Sequence, residues 1–214
     1  MNPGPANLGH AAASPPTEAP FSIRAVAVIG AGRVGRAFAL ACAAAGFHIV
    51  LEDVMPANLR RAQEEYADLT TAHSDSDSDA HPSAGSLRVA LTVEDAVRAA
   101  DLAIDFVPDE LESKLEIFCL VDRMAPPRTV LLTPSDALSI TDLASCTYRP
   151  GRCFALRGWH PGDAFHNASP LRLLHPANAA HAALIATTDF LLALGANLQL
   201  EPDPDAPMLV KNYL

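Results

Sequence analysis

The order strand, glycine-rich turn, helix, strand, acid over residues 25–53 constrains this chain more than any other feature. Ala25-Val26-Ala27-Val28-Ile29 is an apolar run that ends in Gly30-Ala31-Gly32-Arg33-Val34-Gly35 and continues into an Ala-rich stretch. A second apolar run, Ile49-Val50-Leu51-Glu52, closes on Asp53, 18 residues after Gly35. Each part has a mechanical reason. Gly30 permits the tight strand-to-helix turn, Gly32 lets the backbone approach a pyrophosphate, and Gly35 lets the helix lie close on the strand. The start of that helix, at Arg33 and Val34, offers unpaired N–H groups and a partial positive charge to phosphates. Arg33 either touches a phosphate or is simply an exposed arginine at the first helical position. Asp53 can accept hydrogen bonds from ribose hydroxyls and would repel a 2′-phosphate, so the expected ligand is NAD rather than NADP.

The remainder of the chain alternates strand and helix patterns. Strands are expected at Arg24–Ile29, His48–Glu52, Leu87–Thr92, Leu102–Val107, Thr129–Thr133, Cys153–His160, Leu171–His175 and Asn197–Glu201. Helices are expected at Val34–Ala45, Pro56–Thr71, Val93–Ala100, Glu110–Met124, Ser139–Ser145 and Ala177–Leu194. In the second of these, Leu59, Ala62, Tyr66 and Leu69 share the buried stripe. Such alternation implies an α/β fold, a Rossmann-type doubly wound and mostly parallel sheet in a single domain over residues 23–201. Residues 1–22 read as a disordered leader rich in Pro, Ala and Gly. Residues 73–86, dominated by Ser, Asp and His, read as a low-complexity solvated loop; they lack the Gly and distal Glu of a calcium-binding loop.

Composition narrows the partners. The net charge is −10 and no block of Lys or Arg occurs, which argues against nucleic acid and anionic membranes. No apolar run is long enough to span a bilayer, and residues 1–20 hold no Lys or Arg and no apolar core of a secretory signal. Cys42, Cys119, Cys146 and Cys153 have no metal or redox spacing, and Cys42 and Cys119 fall in apolar helices where a buried thiol is expected. A cytoplasmic, reduced setting is the expectation.

Four segments together resemble a known family, the NAD-binding domain of the L-3-hydroxyacyl-CoA dehydrogenases. They are Val-Ile-Gly-Ala-Gly-Arg-Val-Gly-Arg-Ala-Phe-Ala (28–39), Ala-Asp-Leu-Ala-Ile-Asp-Phe-Val-Pro-Asp-Glu-Leu-Glu-Ser-Lys-Leu-Glu-Ile-Phe (100–118), Leu138-Ser139-Ile140-Thr141-Asp142-Leu143-Ala144 and Gly158-Trp159-His160-Pro161. The second is the most specific, because ordinary dinucleotide-binding domains do not carry it. The resemblance implies hydride transfer between a 3-hydroxyl carbon and NAD, with a histidine matching His160 as general base. A base of this kind contributes about 10²–10⁴-fold. The resemblance also places Asp53 on the adenosine ribose and Val107, Pro108, Asp109 and Lys114 beside the nicotinamide. A solvated helix face is the alternative for Glu112 and Lys114. For Trp159 the choice lies between the substrate cleft and the core beneath the 177–194 helix.

The chain departs from the family at other catalytic positions. The glutamate that orients the family's histidine matches Arg172, Leu173 or His175, and no carboxylate occurs between Asp163 and Asp189. The family's Asn-Thr-Ser-Ser becomes Pro134-Ser135-Asp136-Ala137, so the substrate-contacting serine becomes Asp136, or Ser135 with a one-residue shift. A family asparagine matches Lys211 or Asn212, and residues 202–214 resemble only the start of the family's helical C-terminal domain. That domain closes the acyl pocket and builds the family's dimer.

Two readings follow. In the first, the protein is an NAD-dependent oxidoreductase with a small-molecule acyl substrate, a CoA thioester or related hydroxy acid, and a homodimer contact or partner subunit completes the site. In the second, it is a non-catalytic NAD(H)-binding pseudoenzyme or redox-ratio sensor. A metal site from His160, Asp163, His166 and His175 is a third arrangement, but their spacing straddles a strand-to-loop junction, and no metal is expected.

Overall fold

In the computed structural model, residues 21–74, 85–159 and 170–203 are described. Eight strands and six α-helices alternate: β1 (Ala25–Ile29), α1 (Arg33–Ala44), β2 (His48–Glu52), α2 (Pro56–Ser74), β3 (Ser86–Ala90), α3 (Val93–Val97), β4 (Leu102–Asp105), α4 (Leu111–Met124), β5 (Val130–Pro134), α5 (Ile140–Ser145), β6 (Cys153–Arg157), β7 (Leu171–His175), α6 (His181–Ala193) and β8 (Leu198–Pro202). One 3₁₀ turn, Pro150–Arg152, precedes β6. The strands form a single sheet in the order β3-β2-β1-β4-β5-β6-β7-β8. All neighbours run parallel except β6 and β7. The expected doubly wound α/β architecture is thus present, and the strand order reverses between β1 and β4, where such sheets open a crevice at the carboxyl ends of their strands.

Alternation along each strand sends side chains to two cores. Val26, Val28, Leu102, Ile104, Leu132, Phe154 and Leu156 face α1, α2 and α6, which contribute Phe38, Cys42, Leu59, Ala62, Phe190 and Leu191. Ala27, Ile29, Ala103, Leu131 and Ala155 face α3, α4 and α5, which contribute Val97, Ile117, Phe118, Val121, Ile140 and Leu143. The central strands are therefore buried on both sides, as their near-continuous apolar sequences require. Phe21 packs against the first core, with the Arg152 guanidinium 5.4 Å from its ring centroid.

Several boundaries differ from the sequence reading, each for a local reason. Helix α2 continues to Ser74 and β3 begins at Ser86, so regular structure takes both ends of the low-complexity segment; residues 75–84 lie outside the described residues. Leu69 is 39% exposed, whereas Leu59 and Ala62 on the same stripe are buried. Strand β6 ends at Arg157, since Gly158 takes φ +80°, a conformation that leaves the strand. Helix α6 starts at His181 rather than Ala177, because the Ala179 N–H closes a turn on Pro176 O and the Ala180 N–H is taken by Gly151 O. Cys119 is half-buried, and only Cys42 and Cys153 are enclosed.

Candidate functional site

At the switch between β1 and β4 the glycine-rich turn is built as its sequence predicts. Gly30 adopts φ +97° and its N–H donates to Glu52 O at 2.8 Å, tying the turn to β2. A Cβ on Gly35 would stand 1.9 Å from Gly30 O, so only glycine lets α1 begin this close to β1. Gly32 has the opposite surroundings. It is exposed, and a Cβ there would meet nothing within 4 Å, so its backbone faces open space. Gly32 caps α1 without a side-chain hydrogen bond, and the first turn of α1 carries no acid. The N–H groups at Arg33, Val34 and Gly35 are thus uncovered by side chains, and Arg33 itself is exposed. A helix terminus in that state is suited to a diphosphate.

Asp53 follows β2 and is 9% exposed. Its Oδ2 accepts from the Ala31 N–H at 2.6 Å and from Asn58 Nδ2 at 3.1 Å, while Oδ1 accepts from the Met55 N–H at 2.6 Å. The acid therefore joins the glycine turn to the first turn of α2. Neighbouring Glu52 is 4% exposed, and burial, followed by the Asp53 charge, pushes its carboxyl up from the usual carboxylate range. Beside Asp53 stand three exposed apolar side chains, Val54 (86%), Met55 (56%) and Leu91 (72%), just beyond the paired strand ends Glu52 and Ala90. Sequence reasoning missed them, and their signal was apolar residues in loops that have no core to join.

On the other side of the switch, the 106–114 segment enters α4. Lys114 is not solvated: it is 1% exposed, and its Nζ donates to Asp105 Oδ1 at 2.7 Å. Burial pushes the Asp105 carboxyl up while the adjacent ammonium pulls it down, and burial wins. Hydrogen bonds from the Thr133 side chain and the Val107 backbone add to the pull of the ammonium. The pair thus forms a charged floor under the crevice between β4, β5 and α4. Asp105 was missed by the sequence reading, although an acid closing Leu102-Ala103-Ile104 was its signal.

Val107 packs against the second core and Pro108 and Asp109 are exposed above that floor. Asp109 Oδ2 accepts from the Asp136 N–H at 3.1 Å, and Asp136 Oδ1 accepts from the Gly158 N–H at 3.0 Å. Three loops, after β4, β5 and β6, are thereby laced together by two exposed carboxylates. Ser135 is buried, with its Oγ accepting from the Leu138 N–H at 3.0 Å, so it shapes the turn. Trp159 belongs to an aromatic cluster with Phe38 and Phe106, at centroid distances of 5.6 and 5.5 Å, and Phe38 lies 5.3 Å from Phe106. That is the core-filling role for the tryptophan, with Phe190 of α6 6.4 Å from Phe38.

His160, Asp163, His166, Lys211 and Asn212 lie outside the described residues. Of the positions matching the family's glutamate, Arg172 is exposed and 3.5 Å from Glu201, Leu173 is in the core, and His175 Nδ1 lies 3.1 Å from Pro176 O. No group of three metal-ligating side chains occurs among the described residues, and none of their helices is long and apolar enough to cross a membrane.

Comparison with known proteins agrees with this geometry. The family described as 3-hydroxyacyl-CoA dehydrogenase, NAD binding domain, matches residues 25–175. A probable 3-hydroxybutyryl-CoA dehydrogenase of Bacillus subtilis is 29% identical over 145 residues, covering 66% of this chain and 50% of that protein. A 5-formyl-3-hydroxy-2-methylpyridine 4-carboxylate 5-dehydrogenase of Mesorhizobium japonicum is 28% identical over 192 residues, covering 89% of this chain and 60% of that one. Among solved structures, the 3-hydroxybutyryl-CoA dehydrogenase of Escherichia coli K12 superposes with a TM-score of 0.72 at 24% identity, over 86% of this chain and 39% of that one, a likeness of fold. The chain thus spans about half the length of the curated relatives it matches. With the clamped glycine turn, the uncapped helix and the match over most of the described sheet, this chain belongs to the family of the 3-hydroxyacyl-CoA dehydrogenase NAD-binding domain.

Proposed function

We propose that this chain binds NAD across the carboxyl edge of β1, β2 and β4, and that it supplies the dinucleotide half of a hydride transfer between a 3-hydroxyacyl substrate and NAD. In this reading the NAD-binding unit runs from Phe21, which packs on the first core, to Asp203, and so reaches past residues 23–201 at both ends. The Asp203 N–H donates to His175 O, and its carboxylate accepts from Ser139 and Thr141. The observation that carries it is the glycine turn, held at Ala31 by Asp53 and opening onto the uncovered N-terminus of α1. The diphosphate sits over Gly32, Arg33, Val34 and Gly35. Asp53 accepts three hydrogen bonds within the chain, the acceptor capacity left on Oδ1 takes a ribose hydroxyl, and Val54, Met55 and Leu91 give an adenine ring an apolar surface to cover. When bound, NAD supplies the hydride acceptor. His160 takes the hydroxyl proton, the loop carrying Val107, Pro108 and Asp109 borders the nicotinamide, and Lys114 supports that loop from beneath. A substrate wall from self-association or a partner subunit excludes water.

One observation favours the non-catalytic reading. The resemblance puts the family's substrate-contacting serine at Asp136, or at Ser135 with a one-residue shift; the Asp136 carboxylate accepts from the Gly158 N–H, and an ionised Asp136 cannot donate to a ketone oxygen. A single sample separates the readings. NADH is titrated by fluorescence, and NADH oxidation with acetoacetyl-CoA is then followed for the native chain and His160→Ala. Binding with turnover that His160→Ala abolishes supports the oxidoreductase; binding without turnover supports the sensor; no binding removes both.

A further inference from the structure

Both sides of Ala31, the residue between the first two glycines, are held by charged side chains. Its N–H donates to Asp53 Oδ2 at 2.6 Å, and its C=O accepts from Arg36 Nη1 at 3.2 Å. Arg36 lies one residue past Gly35 on α1, yet it is only 8% exposed. A guanidinium is buried at a cost unless its donors are matched. Here Arg36 Nε donates to Glu65 Oε2 on α2 at 2.7 Å, and Glu65 Oε1 accepts from Arg61 Nε at 3.1 Å. Asp53 is likewise held from α2, by Asn58 in its first turn. Two chains of contact therefore run from one helix to one residue, arriving on opposite sides of it.

We infer that α2 is a latch for the phosphate-binding turn, with Arg36 and Glu65 as positioning residues that fix Ala31 before the dinucleotide arrives. The reasoning rests on the NAD reading above. A turn containing Gly30 and Gly32 has much conformational freedom, and binding would have to remove it. Holding Ala31 from both sides removes that freedom in the free protein, so less of the interaction with the diphosphate is spent on ordering. Arginine suits the role because its fork reaches two acceptors at once, the Glu65 carboxylate and the Ala31 carbonyl; a lysine ammonium on the same stem reaches one acceptor well. Neither residue touches the reacting atoms, so their loss weakens dinucleotide binding and leaves the hydride step of the bound state alone.

The test measures NADH affinity by fluorescence, amide exchange at Ala31, and thermal stability in the native chain, Glu65→Ala, Arg36→Lys and Arg36→Ala. Glu65→Ala changes a half-exposed side chain and keeps the variant set informative should Arg36→Ala fold poorly. NADH affinity should fall about tenfold in Arg36→Lys and Glu65→Ala, with faster exchange at Ala31, and in Arg36→Lys with little change in melting temperature. Affinity unchanged in both, alongside native exchange at Ala31, overturns the latch. If the native chain binds no NADH, the NAD reading fails; exchange at Ala31 then still reports whether α2 holds the turn, and no change there overturns that as well.

Discussion

The two halves of the crevice are built on opposite plans. On the β1–β2 side, Asp53 and Arg36 engage the N–H and the C=O of Ala31, and Asn58 and Glu65 hold those two side chains in turn. On the β4–β6 side, a buried Lys114–Asp105 pair carries the floor, and Arg157 Nε is buried without a hydrogen-bond partner among the described residues. Above that floor, exposed Asp109 and Asp136 spend their carboxylates on the backbone of neighbouring loops. On the proposed function, the contrast means that the dinucleotide half is organised within this domain. The β4–β6 side leaves a buried guanidinium nitrogen unmatched, and such groups are the places where water or a further chemical partner has most to offer.

The largest effect should come from the floor. Lys114→Ala leaves Asp105 buried and unpaired and should cost about 3–5 kcal/mol, measured by urea denaturation. Asp105 in the fold has its carboxyl raised above the unfolded value, so the stability tied to it is present below the ordinary aspartate pKa and is lost as pH rises through the folded value. Lys114→Ala should therefore be least destabilised in acid and worsen toward neutrality, and Lys114→Ala combined with Asp105→Asn should recover much of the loss. Equal destabilisation at every pH would falsify the role given to the pair.

Next in size, Gly35→Ala sets a methyl against Gly30 O and should cost about 2–3 kcal/mol, with NADH binding lost. A variant that keeps native affinity would mean that the turn is softer than its contacts imply. Asp53→Ala should weaken NADH binding about tenfold through the Ala31 N–H it frees, and narrow the gap between NADH and NADPH; an undiminished preference in the titration would move cofactor choice elsewhere. Smallest in stability is Asp136→Ser, expected to stay within about 0.5 kcal/mol because the residue is exposed. Its turnover is the sharper readout: restoring a hydroxyl should raise acetoacetyl-CoA reduction about tenfold or more, and an unchanged rate removes Asp136 from contact with the substrate oxygen.

How legible these halves were in the sequence differs as well. The glycine turn, β2 and Asp53 were readable because each obeys a local rule of period, turn conformation or spacing, and the alternation of strands and helices gave the sheet. Lys114 was flagged through resemblance as lying beside the nicotinamide, but its partner sits nine residues earlier at the end of another element. Only the packing of α4 on β4 reveals that pairing. Arg36 and Glu65 are 29 residues apart on different helices, and nothing local distinguishes them from surface charges. Asp136, with Ser135 as its alternative, is reached through the resemblance, whereas its grip on Gly158 depends on β5 and β6 being neighbours in the sheet. Polar pairs across elements are invisible to periodicity, which records only which face is apolar.

Phe106 has one ring and two obligations. It lies 3.0 Å from where a Cβ on Gly35 would stand, and it packs 5.5 Å from Trp159, the residue before His160. On the proposed function, the cradle for the diphosphate and the chain leading to the base therefore share a bearing. A change of shape at position 106 reaches the glycine turn and Trp159 together, so sequence drift that relaxes one carries the other with it.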